Sequence, residues 1–297
     1  MKNERSARLR ARLKEKRILM APAAHDGLCA RIYEKAGFEA IYLSGFATSS
    51  SFLGRPDVGL LDYSEMLYRA STLADAVDVP IFADGDTGFG NAVNVYRTVR
   101  GYVNAGVSAI QLEDQVAPKK CGHMHGREVV PVEEMIGKIH AACDARTDDN
   151  FMIIARTDSR TNFGIDAAIE RGMAYKEAGA DIVFVESPES VDELKKVAAA
   201  FPDVPTIANM VEFGRTPLLS ADELEAMGFN IMVIPVLSTF VIAKAVSEAA
   251  ATLMKDRSSK NLLDRSIDFN DFTELLGLPH VRAMEEKYAT GRHTTDN

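Results

Sequence analysis

Eight short apolar segments alternate with helical patterns along most of this 297-residue chain. Strands that are covered on both faces appear as continuous apolar runs, as in parallel sheets between helices. Eight β/α units in about 250 residues predict a (β/α)8 TIM barrel of the α/β class. A doubly wound sheet is the alternative, but Gly-x-Gly-x-x-Gly does not follow the first run. The apolar runs cover residues 18–23, 40–43, 79–83, 107–112, 151–155, 182–185, 206–208 and 230–234.

Helical segments are also expected outside the eight units. Residues 4–15 form a densely charged helical pattern before the first apolar run. Residues 262–288 indicate two or three further helices, with a break at 277–279 where glycine and proline occur. We therefore expect a barrel with its N-terminal helix at 1–261 and a C-terminal helical extension at 262–297, which together make a single functional domain.

The composition excludes several classes of partner. A net charge of -9 disfavours nucleic acid, which requires a basic face. The three cysteines do not provide an even disulfide framework, which favours a reducing compartment. The charged N-terminus does not resemble a signal peptide, and the uncharged run at 228–243 is too short and interrupted to span a bilayer. We expect a cytoplasmic protein with a small-molecule substrate and neither membrane nor nucleic acid as a partner.

Polar residues stand where six of the apolar runs stop. In a β/α barrel the carboxyl ends of all strands meet at one mouth, where active sites are built. The convergence of these residues, rather than any one of them, therefore predicts a functional site. They are Ser44, Gly45, Asp84, Asp86, Glu113, Arg156, Glu186 and Asn209.

Three of these residues suggest a metal site. Asp84 and Asp86 are two positions apart, so along an extended segment they point the same way. With Glu113 from the next strand they would make an all-oxygen site, which Mg²⁺ or Mn²⁺ prefers. The alternative interpretation of residues 84–86 is a polar turn without a metal.

Arg156 could offer its planar guanidinium to a substrate carboxylate. A structural salt bridge to Glu186 or Asp158 explains the same residue equally well. Asn209 and Ser44 are weaker signals, because either could cap a following turn.

Cys121 lies in a polar loop between two lysines and two histidines. Nearby cations would lower the pKa of its thiol from about 8.5 towards neutrality, which suits an acid or a nucleophile. A zinc site with His123 and His125 is an alternative, but it lacks a second cysteine nearby. Cys29 and Cys143 fall on helical patterns and are expected in the core.

The chain resembles the isocitrate lyase and phosphoenolpyruvate mutase superfamily, in its lyase branch. The resemblance extends over nearly the whole sequence, and the cysteine loop and the Asp-x-Asp strand end are its most specific parts. It rests on the motifs at 84–91 (DGDTGFGN), 112–115 (LEDQ), 119–123 (KKCGH), 155–158 (ARTD), 186–188 (ESP), Asn209 and 212–214 (EFG).

The resemblance implies a barrel whose eighth helix is swapped between paired subunits, usually in a homotetramer. It also implies Mg²⁺ held by Asp84 and Asp86, with Glu113 and Asp57 contacting it through water. Ser44, Gly45 and Phe46 would bind the substrate's 2-hydroxy or 2-oxo acid group. Carboxylates or their supporting groups would be held by Gly122, His123, Arg156, Glu186 and Asn209.

The implied reaction is cleavage of the C2–C3 bond of a small 2-hydroxy dicarboxylate, with Cys121 as proton donor on a closing loop and Tyr42 as the candidate base. An arginine follows the eighth strand in members that bind a third carboxylate, but residues 234–240 contain none. This favours 2,3-dimethylmalate, which would yield pyruvate and propionate. Arg215 could replace the missing arginine, so 2-methylisocitrate, yielding pyruvate and succinate, stays open, as does decarboxylation or hydrolysis of oxaloacetate. A non-catalytic sensor of dicarboxylates is the rival outside enzymes.

Overall fold

The computed structural model describes residues 2–289, and within them eight parallel strands alternate with helices as predicted. Hydrogen bonds join the strands in the orders β1-β8-β7 and β2-β3-β4-β5-β6. Single bridges between Ala23 and Tyr42 and between Val183 and Thr206 connect the two sets. This circular order is a TIM-type barrel. Its strands are β1 Leu19–Pro22, β2 Ile41–Leu43, β3 Ile81–Asp84, β4 Ala109–Glu113, β5 Met152–Thr157, β6 Ile182–Val185, β7 Ile207–Asn209 and β8 Ile231–Ile234.

The segment at 47–61, which follows the second strand, begins with helical turns. Ser44 accepts a hydrogen bond from the Ala47 N–H at 3.3 Å and so caps a short helix. A π-helical turn, Ser49–Leu53, follows and ends at Gly54 in the left-handed conformation. The helices are α1 Lys2–Arg12, α2 Gly27–Lys35, α3 Gly45–Thr48, α4 Tyr63–Ala76, α5 Ala92–Ala105, α6 Val132–Ala145, α7 Arg160–Glu177, α8 Val191–Ala200, α9 Ala221–Met227, α10 Leu237–Asp256, α11 Phe269–Leu275 and α12 Leu278–Tyr288.

Helix α1 closes the amino-terminal end of the barrel. Its Leu9 and Leu13 belong to the same buried cluster as strand residues such as Phe82 and Ile154. Arg12 donates hydrogen bonds to the Arg17 and Ile18 carbonyls, just before β1. Helix α1 therefore packs against the amino-terminal ends of the strands.

The chain divides into two compact units, one up to Phe240 and one from Val241 onwards. The predicted boundary at 261/262 lies further along the chain, because the sequence pattern counted the eighth helix with the barrel. The second unit contains most of α10, a 3-10 turn at Lys260–Arg265, α11 and α12. Within it, Arg265 forms an ion pair with Glu248 at 2.9 Å.

Helix α10 is apolar, but none of its side chains is buried. Among residues 2–289 it is the one helix that is long and apolar enough to cross a membrane by length and composition, which alone is weak evidence for a membrane span. Lys244 and Glu248 form an ion pair of 3.1 Å on this helix. An exposed apolar helix of this kind has the character of a surface that another protein element covers.

Candidate active site

The carboxyl ends of the strands surround a cavity of about 290 Å³. Most of the residues predicted from the strand ends and the cysteine loop meet here. Ten of the fourteen line the cavity: Tyr42, Ser44, Phe46, Asp57, Asp84, Cys121, Gly122, His123, Arg156 and Asn209. The remaining four contact these residues from outside the lining: Gly45, Asp86, Glu113 and Glu186.

Asp84 is fixed at the end of β3 by backbone donors. Its Oδ2 accepts the Gly45 N–H at 3.1 Å, and its Oδ1 accepts the Asp86 N–H at 3.0 Å. The amide of Gln111 approaches Oδ1 at 3.4 Å. A side chain at position 45 would put a Cβ 2.8 Å from Asp84 Oδ2, so this close approach requires glycine.

Lys119 lies between two of the predicted metal ligands. Its Nζ is 2.7 Å from Asp57 Oδ1 and 2.8 Å from Asp86 Oδ1. Burial alone would lower the pKa of Lys119, but Asp86 and Asp57 raise it well above its ordinary value. The sequence interpretation treated this lysine only as a neighbour of the thiol, because its contact with residues 57 and 86 depends on the fold.

Four buried carboxylates, those of Asp57, Asp84, Asp86 and Glu113, lie close enough to Lys119 to raise its pKa, and they form the carboxylate cluster. Burial raises the pKa of Asp86 to about 7, with Lys119 opposing the shift and Asp84 and Asp57 adding to it. Burial also raises the pKa of Glu113, whose Oε1 is buried without a hydrogen-bond partner. Buried carboxylates with raised pKa values are a donor set that Mg²⁺ or Mn²⁺ would stabilise, and in this structure Lys119 supplies the positive charge between Asp57 and Asp86.

Arg156 forms a structural salt bridge and also lines the cavity. Its Nε and Nη2 donate to the Asp158 carboxylate, both at 2.9 Å, which is the predicted salt bridge. Its Nη1 lies 3.4 Å from both Glu113 and Glu186. The guanidinium is therefore locked in place while it lines the cavity.

Glu186 lies outside the cavity lining and contacts three residues that line it. Its carboxylate accepts the Asn209 amide N–H at 3.1 Å and lies 3.2 Å from His123 Nε2. Although burial opposes the shift, Arg156 and His123 lower the pKa of Glu186 below its ordinary value. Glu186 therefore stays ionised and orients the donors around it.

His123 is committed to this network and is not a zinc ligand beside Cys121. Its Nδ1 accepts the Arg215 N–H at 2.9 Å, while Nε2 faces Glu186. Within residues 2–289, the one grouping of side chains suited to such a metal lies elsewhere, at His25, Asp26 and Cys29. The alternative zinc interpretation of the loop is therefore wrong.

The cysteine loop is closed down by backbone and side-chain hydrogen bonds. Gln115 bonds both backbone groups of Lys120, at 2.9 and 2.8 Å. The Cys121 N–H donates to the Asp57 carbonyl at 3.0 Å, and Ser187 Oγ donates to the Gly122 carbonyl at 2.7 Å. The loop therefore holds the thiol at the cavity in this conformation.

The thiol of Cys121 does not have the lowered pKa that the sequence suggested. Burial raises the pKa of Cys121 to about 11 and outweighs the lowering by the His123 backbone hydrogen bond and by the charge of Arg156. The two lysines point away, since Lys119 pairs with Asp57 and Lys120 Nζ donates to the Gly126 carbonyl at 2.5 Å. A thiol that keeps its proton suits an acid better than a nucleophile.

Tyr42 lines the cavity but is poorly placed to act as a base. Its O–H donates to Gln111 Oε1 at 3.0 Å. Burial, and then the charge of Asp84, raise the pKa of Tyr42 well above 10. The phenol therefore stays neutral and positions Gln111, which reaches Asp84.

Gly122 has no room for a side chain. A Cβ there would lie 2.7 Å from Glu186 and would collide with the Arg156 guanidinium. The loop backbone can therefore approach these two charged groups only because residue 122 is glycine.

One wall of the cavity is apolar, and sequence reasoning missed most of it. The rings of Phe46 and Phe240 meet edge to face with their centroids 6.2 Å apart. Apolar residues after a strand look the same in sequence whether they face a cavity or the core. The further members of this apolar wall are Met124, Val211, Phe213, Pro235 and Val236.

Arg215 does not replace the missing arginine of the eighth strand. Its guanidinium forms an ion pair with Glu189 and lies 3.2 Å from Thr161 Oγ1. Only its backbone N–H reaches the site residue His123. The cavity therefore has Arg156 and the two loop lysines as its positive groups, and the end near β8 has none.

The chain belongs to the phosphoenolpyruvate mutase and isocitrate lyase superfamily. The family model described as phosphoenolpyruvate phosphomutase matches residues 9–254. The predicted family and TIM-type fold are therefore confirmed.

Relatives in the lyase branch match almost the full chain. A 2,3-dimethylmalate lyase from Eubacterium barkeri is 53% identical over 97% of this chain and 99% of its own. A 2-methylisocitrate lyase from Bacillus subtilis is 45% identical over 86% of this chain and 84% of its own. The chain is thus similar to carbon–carbon lyases, as its motifs indicated.

Solved structures give the same picture. An oxaloacetate acetylhydrolase with 3,3-difluorooxalacetate superposes with a TM-score of 0.91 at 32% identity, over 95% of this chain and 96% of that one. A 2,3-dimethylmalate lyase superposes with a TM-score of 0.90 at 33% identity, over 95% and 94%. A phosphonopyruvate hydrolase with oxalate and Mg²⁺ superposes with a TM-score of 0.87 at 35% identity, over 97% and 99%.

Proposed function

We propose that this protein is a Mg²⁺-dependent carbon–carbon lyase that cleaves 2,3-dimethylmalate to pyruvate and propionate. One observation carries the proposal: Asp57 and Asp84 of the carboxylate cluster, the protonated thiol of Cys121 and an apolar wall all line the same cavity. Its 53% identity to a 2,3-dimethylmalate lyase supports the choice of substrate. Mn²⁺ could serve in place of Mg²⁺, because the donor set is the same.

Asp84, Asp86, Glu113 and Asp57 would hold the metal, as their convergence and crowding suggest. When bound, Mg²⁺ would make the substrate's 2-hydroxyl more acidic and favour cleavage of the C2–C3 bond. The Gly45 N–H already donates to Asp84, so the Ser44 hydroxyl and the Phe46 backbone N–H are the groups of this turn that would hold the acid group.

The second carboxylate of the substrate fits the opposite side of the mouth. Arg156 offers Nη1, which carries only long contacts of 3.4 Å. His123 and Asn209 are oriented by Glu186, and Gly122 lets the loop backbone come close. A charged group in this dry environment requires such fixed partners.

Cys121 would act as the general acid. The hydroxyl proton passes to solvent water, and the electron pair of the C2–C3 bond moves to C3, next to the second carboxylate, as that bond breaks. The thiol donates its proton to C3, which completes propionate, and later regains a proton from solvent. The closed loop around Cys121 keeps water out while this intermediate exists.

The apolar wall distinguishes between substrates. The methyl group on C3 of 2,3-dimethylmalate can pack against Phe46 and Phe240, where burial of one methyl contributes about 0.8 kcal/mol. The third carboxylate of 2-methylisocitrate would find no free guanidinium at this end, because Arg215 is paired with Glu189. 2-Methylisocitrate cleavage is therefore the second candidate, and the 45% identity to a 2-methylisocitrate lyase favours it.

Pyruvate release from 2,3-dimethylmalate and from 2-methylisocitrate, measured side by side with Mg²⁺, tests the proposal. We expect a kcat/KM at least about 10-fold higher for 2,3-dimethylmalate, because an unpaired buried carboxylate costs more than about 1.4 kcal/mol. Higher activity with 2-methylisocitrate would contradict the assignment of the apolar wall. Acetate or CO₂ production from oxaloacetate, without pyruvate release from either hydroxy acid, would instead favour hydrolysis or decarboxylation. The likeness to an oxaloacetate acetylhydrolase would be consistent with that result.

We also propose a homotetramer in which the eighth helix of each subunit is swapped onto its partner. In the single chain, α10 exposes 56% of Val241 and 60% of Val246, and none of its side chains is buried. Exposed apolar area of this extent favours a covering partner. Sedimentation equilibrium should give about four times the 32.4 kDa chain mass, and a monomer at micromolar concentration would contradict the swap.

We place this activity in the cytoplasm. Cys29, Cys121 and Cys143 are all free thiols, which suits a reducing compartment. The net charge of -9 and the small cavity support a small-molecule partner rather than nucleic acid or a membrane. Recovery of the lyase activity with the membrane fraction of cells would contradict this placement.

A further inference from the structure

A second group of ligating side chains lies at the carboxyl end of β1, outside the cavity described above. His25, Asp26 and Cys29 bring one nitrogen, one oxygen and one sulfur atom within 4.8 Å of one another. His25 and Cys29 are buried, and 42% of the Asp26 side chain is exposed. We propose that these three residues form a binding site for a borderline-soft divalent transition metal, with Zn²⁺ as the best fit.

Two of the three distances between the ligating atoms match tetrahedral zinc geometry. With Zn–N of about 2.05 Å, Zn–S of about 2.3 Å and Zn–O of about 2.1 Å, tetrahedral angles place nitrogen about 3.6 Å from sulfur and about 3.4 Å from oxygen. His25 Nε2 lies 3.7 Å from Cys29 Sγ and 3.5 Å from Asp26 Oδ2. The same nitrogen is therefore at the right distance from both other ligands without rearrangement.

Supporting contacts leave the three ligating atoms available. His25 Nδ1 is 3.4 Å from Ser238 Oγ, so the ring proton on Nδ1 can be held there while Nε2 keeps its lone pair. Asp26 uses Oδ1 to accept the Cys29 N–H at 2.8 Å, which caps α2 and fixes residue 29. Oδ2 remains free to bind a metal.

The local charges also suit a divalent ion. Burial lowers the pKa of His25, so the imidazole is neutral, as a metal ligand must be. Burial, with Asp26, raises the pKa of Cys29 to about 12, so metal binding would release the thiol proton to solvent. The resulting thiolate and the Asp26 carboxylate carry two negative charges, which one divalent ion neutralises, and Arg69 is the nearby cation.

A metal ion would enter past the exposed side chain of Asp26. A water molecule would take the fourth coordination position. The two ligands supplied by His25 and Cys29 are four residues apart, across the start of α2. Because Ser238 belongs to the first turn of α10, metal binding at this site would also fix the contact between that turn and the end of β1.

Titration of the Mg²⁺-loaded full-length protein with Co²⁺, followed by absorption, tests the site. We expect one equivalent to give a thiolate-to-metal charge-transfer band, and Zn²⁺ to abolish it. Cys29→Ser should remove the band, and His25→Gln should weaken binding by at least about 10-fold. Cys143→Ser is the matched control, because Cys143 is also a free helical thiol, and it donates to the Gly179 carbonyl.

Three outcomes would overturn the proposal: no thiolate band in the wild-type protein, a band that survives Cys29→Ser, or a band that disappears in Cys121→Ser instead. Ser238→Ala keeps all three ligating residues, so any effect on folding that comes from replacing a ligand is avoided. We expect it to weaken Zn²⁺ binding by about 10-fold, as loss of an outer partner of a ligating histidine does. Unchanged Zn²⁺ affinity in both single variants, Ser238→Ala and His25→Gln, would also contradict the site.

Discussion

Replacing Cys121 with alanine is expected to lower kcat for pyruvate release by about 10²–10⁴-fold, with a much smaller change in KM. The range is that of a general acid placed at the reacting atom. The thiol does not need its charge to bind substrate, because burial raises its pKa to about 11 and keeps it neutral. Steady-state kinetics of the wild-type protein and the Cys121→Ala variant with 2,3-dimethylmalate provide the measurement.

The control for this substitution is Cys143→Ser. The Cys143 thiol donates to the Gly179 carbonyl at 3.3 Å and belongs to α6, away from the residues that line the cavity. We expect its activity to stay within about twofold of the wild-type value, as for most substitutions outside a site. A Cys121→Ala variant with nearly full activity would show that another group, or water, protonates C3.

The reactivity of the Cys121 thiol distinguishes the role of general acid from the role of nucleophile. A catalytic nucleophile has a lowered pKa and is alkylated rapidly near neutral pH. With a pKa of about 11, Cys121 should react with iodoacetamide no faster than an ordinary cysteine. Rapid alkylation of Cys121 that substrate prevents would instead support the role of nucleophile, which the sequence also allowed.

The sequence predicted the barrel well because hydrophobic burial on both faces leaves a direct signature. The run at 182–185 coincides with β6, and the other seven runs differ from their strands by only a few residues. The sequence allowed Ser44 to cap a following turn but did not predict a helix there, because a helix as short as Gly45–Thr48 has no periodicity to detect. The exposure of α10 is invisible in its sequence, since an apolar helix looks the same on any surface.

The polar part of the site could also be predicted, because parallel strands end at one mouth and polar residues there are conspicuous. The direction of the Cys121 pKa could not, since it depends on where Lys119 and Lys120 point rather than on their proximity in sequence. The same is true of Lys119 between Asp57 and Asp86, residues 62 and 33 positions earlier in the chain. Such contacts arise only from tertiary structure.

Replacing Asp84 with asparagine is expected to weaken Mn²⁺ or Mg²⁺ binding by about 100-fold or more. Loss of a charged ligand should cost at least as much as the 10–100-fold loss seen for outer partners of metal ligands. The amide still offers one oxygen to the backbone N–H of Gly45 or Asp86, so the turn after β3 should persist. Calorimetric titration with Mn²⁺ measures the affinity directly, without relying on the reaction.

Asp114→Asn is the matched control for the Asp84 variant. Asp114 is equally part of the barrel mouth and fully buried, and it accepts hydrogen bonds from Thr157 at 2.7 Å and Tyr175 at 2.8 Å instead of joining the carboxylate cluster. Its loss should lower the free energy of unfolding by about 1–3 kcal/mol while Mn²⁺ affinity changes less than about threefold. If Asp84→Asn bound Mn²⁺ as tightly as the wild-type protein, the metal would have to be held elsewhere. If both variants lost affinity equally, the cluster around Asp84 would be structural, and Lys119 would be its permanent cation rather than a neighbour of the metal.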